Sequence, residues 1–258
     1  MRFPALSLRA AALCGLACLV AVVAGRPAVA QDPSGLPAAR EVIDRFVDAI
    51  GGADTIRKYR SQRAAGVFEV PGPGITGRLE VFSAAPNLML QRLVVPGLGT
   101  IESGFDGAVG WLDDPTIGPL VLEGRALEQM KADADFHAAF HGEHLYRTIE
   151  TVERTTFEST GAYKLRLVTP SGDEQFEYFS IETGLLVGSQ SIRSLPMGEF
   201  PTTTVMAEYK TFGGLRLATR WVQRSMGVEQ TITITDIEFD TVDPAVFALP
   251  ARIKTLVK

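Results

Sequence analysis

Thiols and imidazoles are scarce in this chain, and their placement is informative. Only two of the 258 residues are cysteine, Cys14 and Cys18, and both fall within the first thirty positions. Beyond residue 30 there is no disulfide, no thiolate nucleophile and no cysteine metal ligand. Basic residues are also in deficit. Residues 1–30 hold three arginines and no acid, so past them 22 basic residues face 30 acidic ones, a net charge near −8. That balance disfavours nucleic acid, or an anionic membrane surface, as the principal partner. There is no G-x-S-x-G elbow and no P-loop. The apolar run from Ala10 to Ala24 is shorter than the ~20 residues that a spanning helix needs.

What stands at the N-terminus has the order of an export signal. Arg2 and Arg9 precede the uncharged run, and Ala28-Val29-Ala30 follows it as an A-x-A cleavage site. The apolar run continues past Cys18, which argues against a lipid-modified cysteine there. Residues 1–30 are therefore expected to be a cleaved signal peptide, and 31–258 one exported, periplasmic domain. No Ser/Pro-rich linker, block of like charge or fixed-period repeat divides those 228 residues.

The domain opens with "REVIDRFVDAI", in which Val42, Ile43, Phe46, Val47 and Ile50 share one helical face before Gly51-Gly52 stops the helix. A short helical piece, "ADTIRKYR", follows. From Gln62 the period changes to short Val/Leu/Ile/Phe-rich runs separated by Gly and Pro, which is an antiparallel meander. Five such runs precede residue 115 and seven follow residue 147. A dozen strands in one sheet exceed what a flat sheet supports, so a curled sheet or barrel is expected. Several strands are apolar on both faces, as in "NLMLQRLVVP". Helices, or an apolar ligand, must cover what an ordinary one-sided strand would show to water.

"AREVIDRFVDAIGG", "GFDGAVGW", "YKTFGGLRLATR" and the closing "DTVDPAVFALP", with Asp243, Phe247 and Pro250 around a short turn, together resemble the outer-membrane lipoprotein-sorting proteins (LolA/LolB-like periplasmic carriers) and their secreted relatives. The similarity of layout runs from Leu36 to Val257. It implies a mainly antiparallel β fold: a strongly curved, incomplete β-barrel with helices packed in its concave side. It also implies a hydrophobic ligand such as a lipid or lipoprotein acyl chain, an envelope protein partner, and association with the outer membrane. No enzyme and no cofactor is implied. The chain is expected to be no integral membrane protein.

Between the two groups of strands, "EGRALEQMKADADFHAAF" is the one long helical pattern, a lid or plug helix beginning near Gly124. Met89, Leu93 and Trp111 from the strands, with Leu127, Met130, Phe136 and Phe140 from the lid, are the candidate ligand-binding residues. The chain's three histidines, His137, His141 and His144, continue the stripe of Leu127 and Met130 at steps of three and four. On a continuous helix, at ~100° per residue, they share one face. That spacing supports an alternative, a metal-binding module or metal-assisted hydrolase. Ala138 stands where the metalloprotease pattern requires glutamate, and Gly142 is a helix terminator. A third expectation is a lid that loosens on acidification as the imidazoles charge.

The remaining motifs have plainer readings. "GPGITG" matches G-x-G-x-x-G but opens no helix, so it reads as a hairpin loop. "DDPTIGP" reads as a turn.

Overall fold

The computed structural model describes residues 35–257; the expected signal peptide lies outside the described residues. Thirteen antiparallel strands form one sheet that does not close, ordered β6-β5-β4-β3-β2-β1-β13-β12-β11-β10-β9-β8-β7. The first half is β1 (Ser61–Val70), β2 (Ile75–Ala84), β3 (Leu88–Val95), β4 (Gly99–Phe105), β5 (Gly110–Asp114) and β6 (Gly118–Val121). The second is β7 (Thr148–Phe157), β8 (Thr160–Val168), β9 (Glu174–Ser180), β10 (Leu186–Leu195), β11 (Gly198–Phe212), β12 (Leu215–Ser225) and β13 (Val228–Phe239). Pairing of β1 with β13 joins the halves at the centre. The result is the mainly antiparallel, incomplete curved barrel that the strand patterns require.

One strand escapes the sequence reading. The turn in "DDPTIGP" is present, with Asp114 accepting hydrogen bonds from the amide and hydroxyl of Thr116, but β6 begins immediately after it. Pro119 hides that strand, because proline is tolerated in a sheet mainly on edges, and β6 is an edge. "GPGITG" is a hairpin loop, as its context demands, with Val70 paired to Ile75. "YKTFGGLRLATR" forms the β11–β12 hairpin, where Gly213 and Gly214 both take positive φ, the conformation of a tight two-residue turn.

Helix α1 (Ala39–Ala49) buries Val42, Ile43, Phe46 and Val47 against Leu165 and Leu167 of β8, Phe179 of β9 and Leu215 of β12. Gly51 and Gly52, at φ 127° and 84°, end it. Its end is docked on the β11–β12 turn: the Arg216 amide donates to the Ile50 carbonyl at 2.9 Å. Helix α2 (Ala53–Lys58) follows, and Tyr59 stacks on Phe239 while donating to the Gly213 carbonyl. These helices cover the concave face at the rim that carries the β11–β12 turn.

The convex face of β2, β3 and β5 has a separate cover. Phe82, Leu90 and Trp111 pack beneath Phe247 and Ile253. These belong to a 3-10 turn (Pro244–Phe247) and helix α4 (Ala251–Lys254). Asp243 caps the turn by accepting from the Ala245 amide. The two-faced strands are thus covered on both sides by the chain itself.

Candidate functional site

Residues 122–147 connect the two free edges of the sheet, β6 and β7, and cross the concave side between them. The crossing starts as helix α3 (Gly124–Asp133). Leu127 and Met130 lie over β5, where Gly110 leaves room; a Cβ there would meet Leu127 Cδ1 at 2.8 Å. The other side of α3 reaches β10. Gln129 donates to the Ile192 carbonyl at 2.8 Å and accepts from the Ser194 amide at 2.9 Å, and Arg193 pairs with Asp133.

The helix then stops, and this overturns the shared histidine face. A 3-10 turn, Ala138–Phe140, follows, and His141 takes a left-handed conformation with φ 50°. Left-handed backbone breaks the 3.6-residue phase, so steps of three and four no longer align side chains. The three imidazoles part. His144 hydrogen-bonds through Nε2 to Asp135. The His137 ring contacts Phe136 and Phe140, while its amide donates to Asp135. His141 is buried against Glu177 of β9. Among the described residues no three His, Cys, Asp or Glu side chains gather around a point that a metal could occupy. The metal-module and metal-hydrolase alternative lacks the site it required.

The His141–Glu177 pair is the electrostatic centre of the lid. Both residues are under a tenth exposed. Nε2 lies 2.6 Å from Glu177 Oε2, and Nδ1 lies 3.1 Å from the Ala139 carbonyl. Both ring nitrogens therefore face acceptors, an arrangement that suits the doubly protonated imidazolium. Gln175 donates to the other Glu177 oxygen and to Tyr146, whose ring stacks on the imidazole. Phe46 and Phe179 meet the imidazole with their edges. Burial and the nearby Arg40 guanidinium oppose the charge, but Glu177 and the Ala139 carbonyl outweigh them and raise the His141 pKa above its ordinary value. Burial also pushes the Tyr146 phenol up.

The sign of the pH dependence follows, opposite to a lid that loosens in mild acid. A raised folded-state pKa contributes stability that is fully present below the unfolded value of ~6.5 and is lost as pH rises through the folded value. The amides of Phe140, His141, Leu145 and Tyr146 donate within this segment. Corrected for intrinsic rates, they are expected to exchange more slowly at pH 6 than at pH 8.5. Equal protection at both would remove the role of the pair.

Beneath the lid lies a cavity of about 180 Å³, walled by Ile50, Ile56, Tyr59, Phe136, Leu217 and Phe239, with Gln62, Ser83 and Asp135 at its polar side. A second, of about 200 Å³, lies between α1 and β8–β9 and carries Glu41 and Arg45 in its wall. Pockets for drug-sized ligands are usually ~300–1,000 Å³, whereas ~150 Å³ holds a molecule like benzene. The half-barrel is filled mostly by its own helices.

Strand register sorts the sequence-selected residues. Met89 pairs with Ser83, a cavity residue, and shares the concave face with Leu93. Leu127 and Met130 cross above that face, Phe136 lines the cavity, and Phe140 packs against the α1 core. Trp111 pairs with Gly104 on the other side of the sheet and is buried under α4. Sequence reasoning missed Glu177, whose position in "EQFEYFSI" carries no local sign of a partner 36 residues away.

The sequence matches no protein-family model and no curated protein. Solved structures do match. A LolA superfamily protein of Nitrosomonas europaea superposes with TM-score 0.57 at 13% identity, over 83% of this chain and 99% of that one. A DUF1329 family protein of Desulfovibrio piger gives 0.55 at 11%, over 81% and 97%. A domain of Vibrio parahaemolyticus assigned to outer-membrane lipoprotein sorting gives 0.53 at 12%, over 80% and 94%. The fold of this chain is LolA-like.

Proposed function

We propose that this protein is a non-enzymatic carrier that receives the acyl portion of a lipid or acylated protein in its half-barrel, beneath the segment 122–147. The observation that carries this reading is a cavity on the concave face, with one apolar wall and one polar wall, beneath a segment held by side-chain contacts that include Gln129 to β10, Arg193 to Asp133, Arg125 to Asp173 and Glu199, and His141 to Glu177. At about 180 Å³ the cavity accepts only a fragment of an acyl chain, so loading requires the lid to lift. The ligand would then touch Met89, Leu93, Leu127, Met130, Phe136 and Phe140. Trp111 takes no part.

The fold likeness supports a carrier rather than a catalyst, and the export signal read in residues 1–30 fits a periplasmic site of action. Association with the outer membrane, and an envelope protein that gives or takes the cargo, belong to the same proposal. Among the described residues no helix is long and apolar enough to cross a membrane.

Native mass spectrometry of the protein, purified without detergent from an exporting bacterium, tests this. The expected spectrum has an added mass in the range of a fatty acid or phospholipid that leaves on activation. Met130→Glu combined with Phe140→Glu is expected to reduce the occupied fraction at least about tenfold, since burying an unpaired charge costs several kcal/mol. An empty wild-type protein that also takes up no added fatty acid would count against the carrier. Full occupancy in the variant would put the ligand elsewhere.

A further inference from the structure

Exposed large hydrophobic side chains cluster at one rim of this sheet. Antiparallel pairing sends successive turns alternately to two rims. Among the described residues eleven large hydrophobic side chains are exposed. Seven of them stand at hairpin tips of a single rim. Leu195 and Met197 are at the β10–β11 tip, and Met226 and Val228 at β12–β13. Ile75 is at β1–β2, Leu98 at β3–β4 and Ile117 at β5–β6. In the order of the sheet these are five consecutive hairpins. The sixth turn of this rim, 169–173, carries none of the eleven, and neither do the five turns of the opposite rim, at 85–87, 106–109, 158–159, 181–185 and 213–214. Single exposed apolar residues need no explanation, but a one-sided row of them does.

The form of the row indicates what it meets. Neighbouring tips are two strands apart, ~10 Å, so the apolar residues are separate prongs rather than one continuous patch. A protein partner would need a packed, contiguous core. Lipid headgroups and acyl chains flow around isolated prongs, and interfacial binding grows with the apolar area that enters the bilayer. Charges beside the tips are largely paired, Arg224 with Glu229 and Glu199 with Arg125. Each of these arginines is shared with a second acid, Glu158 and Asp173 respectively, so the rim offers no surplus positive charge, and attraction to anionic lipid is not its basis. Pro71, Pro73, Pro96 and Pro115 stiffen three of the turns, which lowers the entropy lost on insertion.

We propose that this rim docks on the surface of a lipid bilayer, with the tips led by Met197 and Met226, the two most exposed at 65% and 52%, entering the headgroup region. The inference does not depend on the cargo proposed above, and vesicle binding and cargo retention are read separately.

Flotation of the full chain with vesicles of phosphatidylcholine, alone or mixed with phosphatidylglycerol, tests it. The wild type is expected to float with both compositions and to persist in high salt. Met197→Asp with Met226→Asp is expected to lower the bound fraction about tenfold or more. Val67→Asp with Val152→Asp, at exposed positions away from the tips, should leave it unchanged. Circular dichroism verifies folding, and Met197→Ser with Met226→Ser replaces the aspartate pair if that variant unfolds. Failure of the wild type to float, equal loss in the tip and control variants, or binding only to anionic vesicles that salt abolishes would overturn the proposal. So would a dimer, seen by sedimentation, that the tip variants dissolve while vesicles bind neither form.

Discussion

Glu177→Ala is expected to destabilise the folded protein by about 3–5 kcal/mol, the range for removing one partner of a buried ion pair. His141 would be left inside the lid without its carboxylate, flanked by Phe46, Phe179 and Tyr146. It could escape only by losing its proton, or by abandoning the left-handed backbone that Glu177 helps to hold. Urea unfolding at pH 6 measures the loss. The paired replacement His141→Phe with Glu177→Leu separates charge from packing, because apolar substitution of both partners of a buried pair is often neutral or stabilising. That double variant is expected to recover most of the stability and to lose the pH dependence of lid exchange. A Glu177→Ala cost below about 1 kcal/mol would show that water reaches the pair and that the lid is already loose.

Phe247→Ala is expected to cost about 3–5 kcal/mol, the range for emptying a buried phenylalanine site. The side chain is 6% exposed and packs with Phe82, Leu90, Trp111 and Ile253. Ile253, fully buried, with Val242, Val246 and Leu249 completes the apolar attachment of the C-terminal segment, whereas the exposed Arg252–Asp113 pair adds little. Trp111 reports the event directly: its emission should shift to longer wavelength as the cover loosens. Unchanged emission and stability would mean that the face is covered without Phe247. This cluster also gives "DTVDPAVFALP" its structural role. It supplies a turn with its own cap at Asp243 and a buried anchor, and no catalytic group.

The lid shows where local reasoning ends. The start of α3 near Gly124 is legible, since Leu127 and Met130 repeat at helical spacing. Its end is not. "DADFHAAF" keeps helix-compatible residues, yet the helix stops at Asp133 because Asp135 turns to accept the His137 amide and His144, and because Phe136 donates its amide to the Pro86 carbonyl. Three histidines at helical spacing therefore end in three environments. The pH expectation reversed for the same reason. From sequence the imidazoles border apolar residues, where charge is disfavoured; in the fold two of them meet carboxylates, His144 at Asp135 and the buried His141 at Glu177.

The sequence by itself determined the curled antiparallel sheet, the amphipathic first helix and the hairpin turns. All of these are written in short-range periodicity and turn chemistry, which act over a few residues. The tertiary structure alone decided that β6 follows Pro115, that Trp111 faces away from Met89, that His141 pairs with Glu177, and that the cavity is small. Each of these depends on strand register or on groups far apart in the chain. A one-residue change of register moves a side chain to the opposite face of a sheet, and no local pattern records which distant partner will be waiting there.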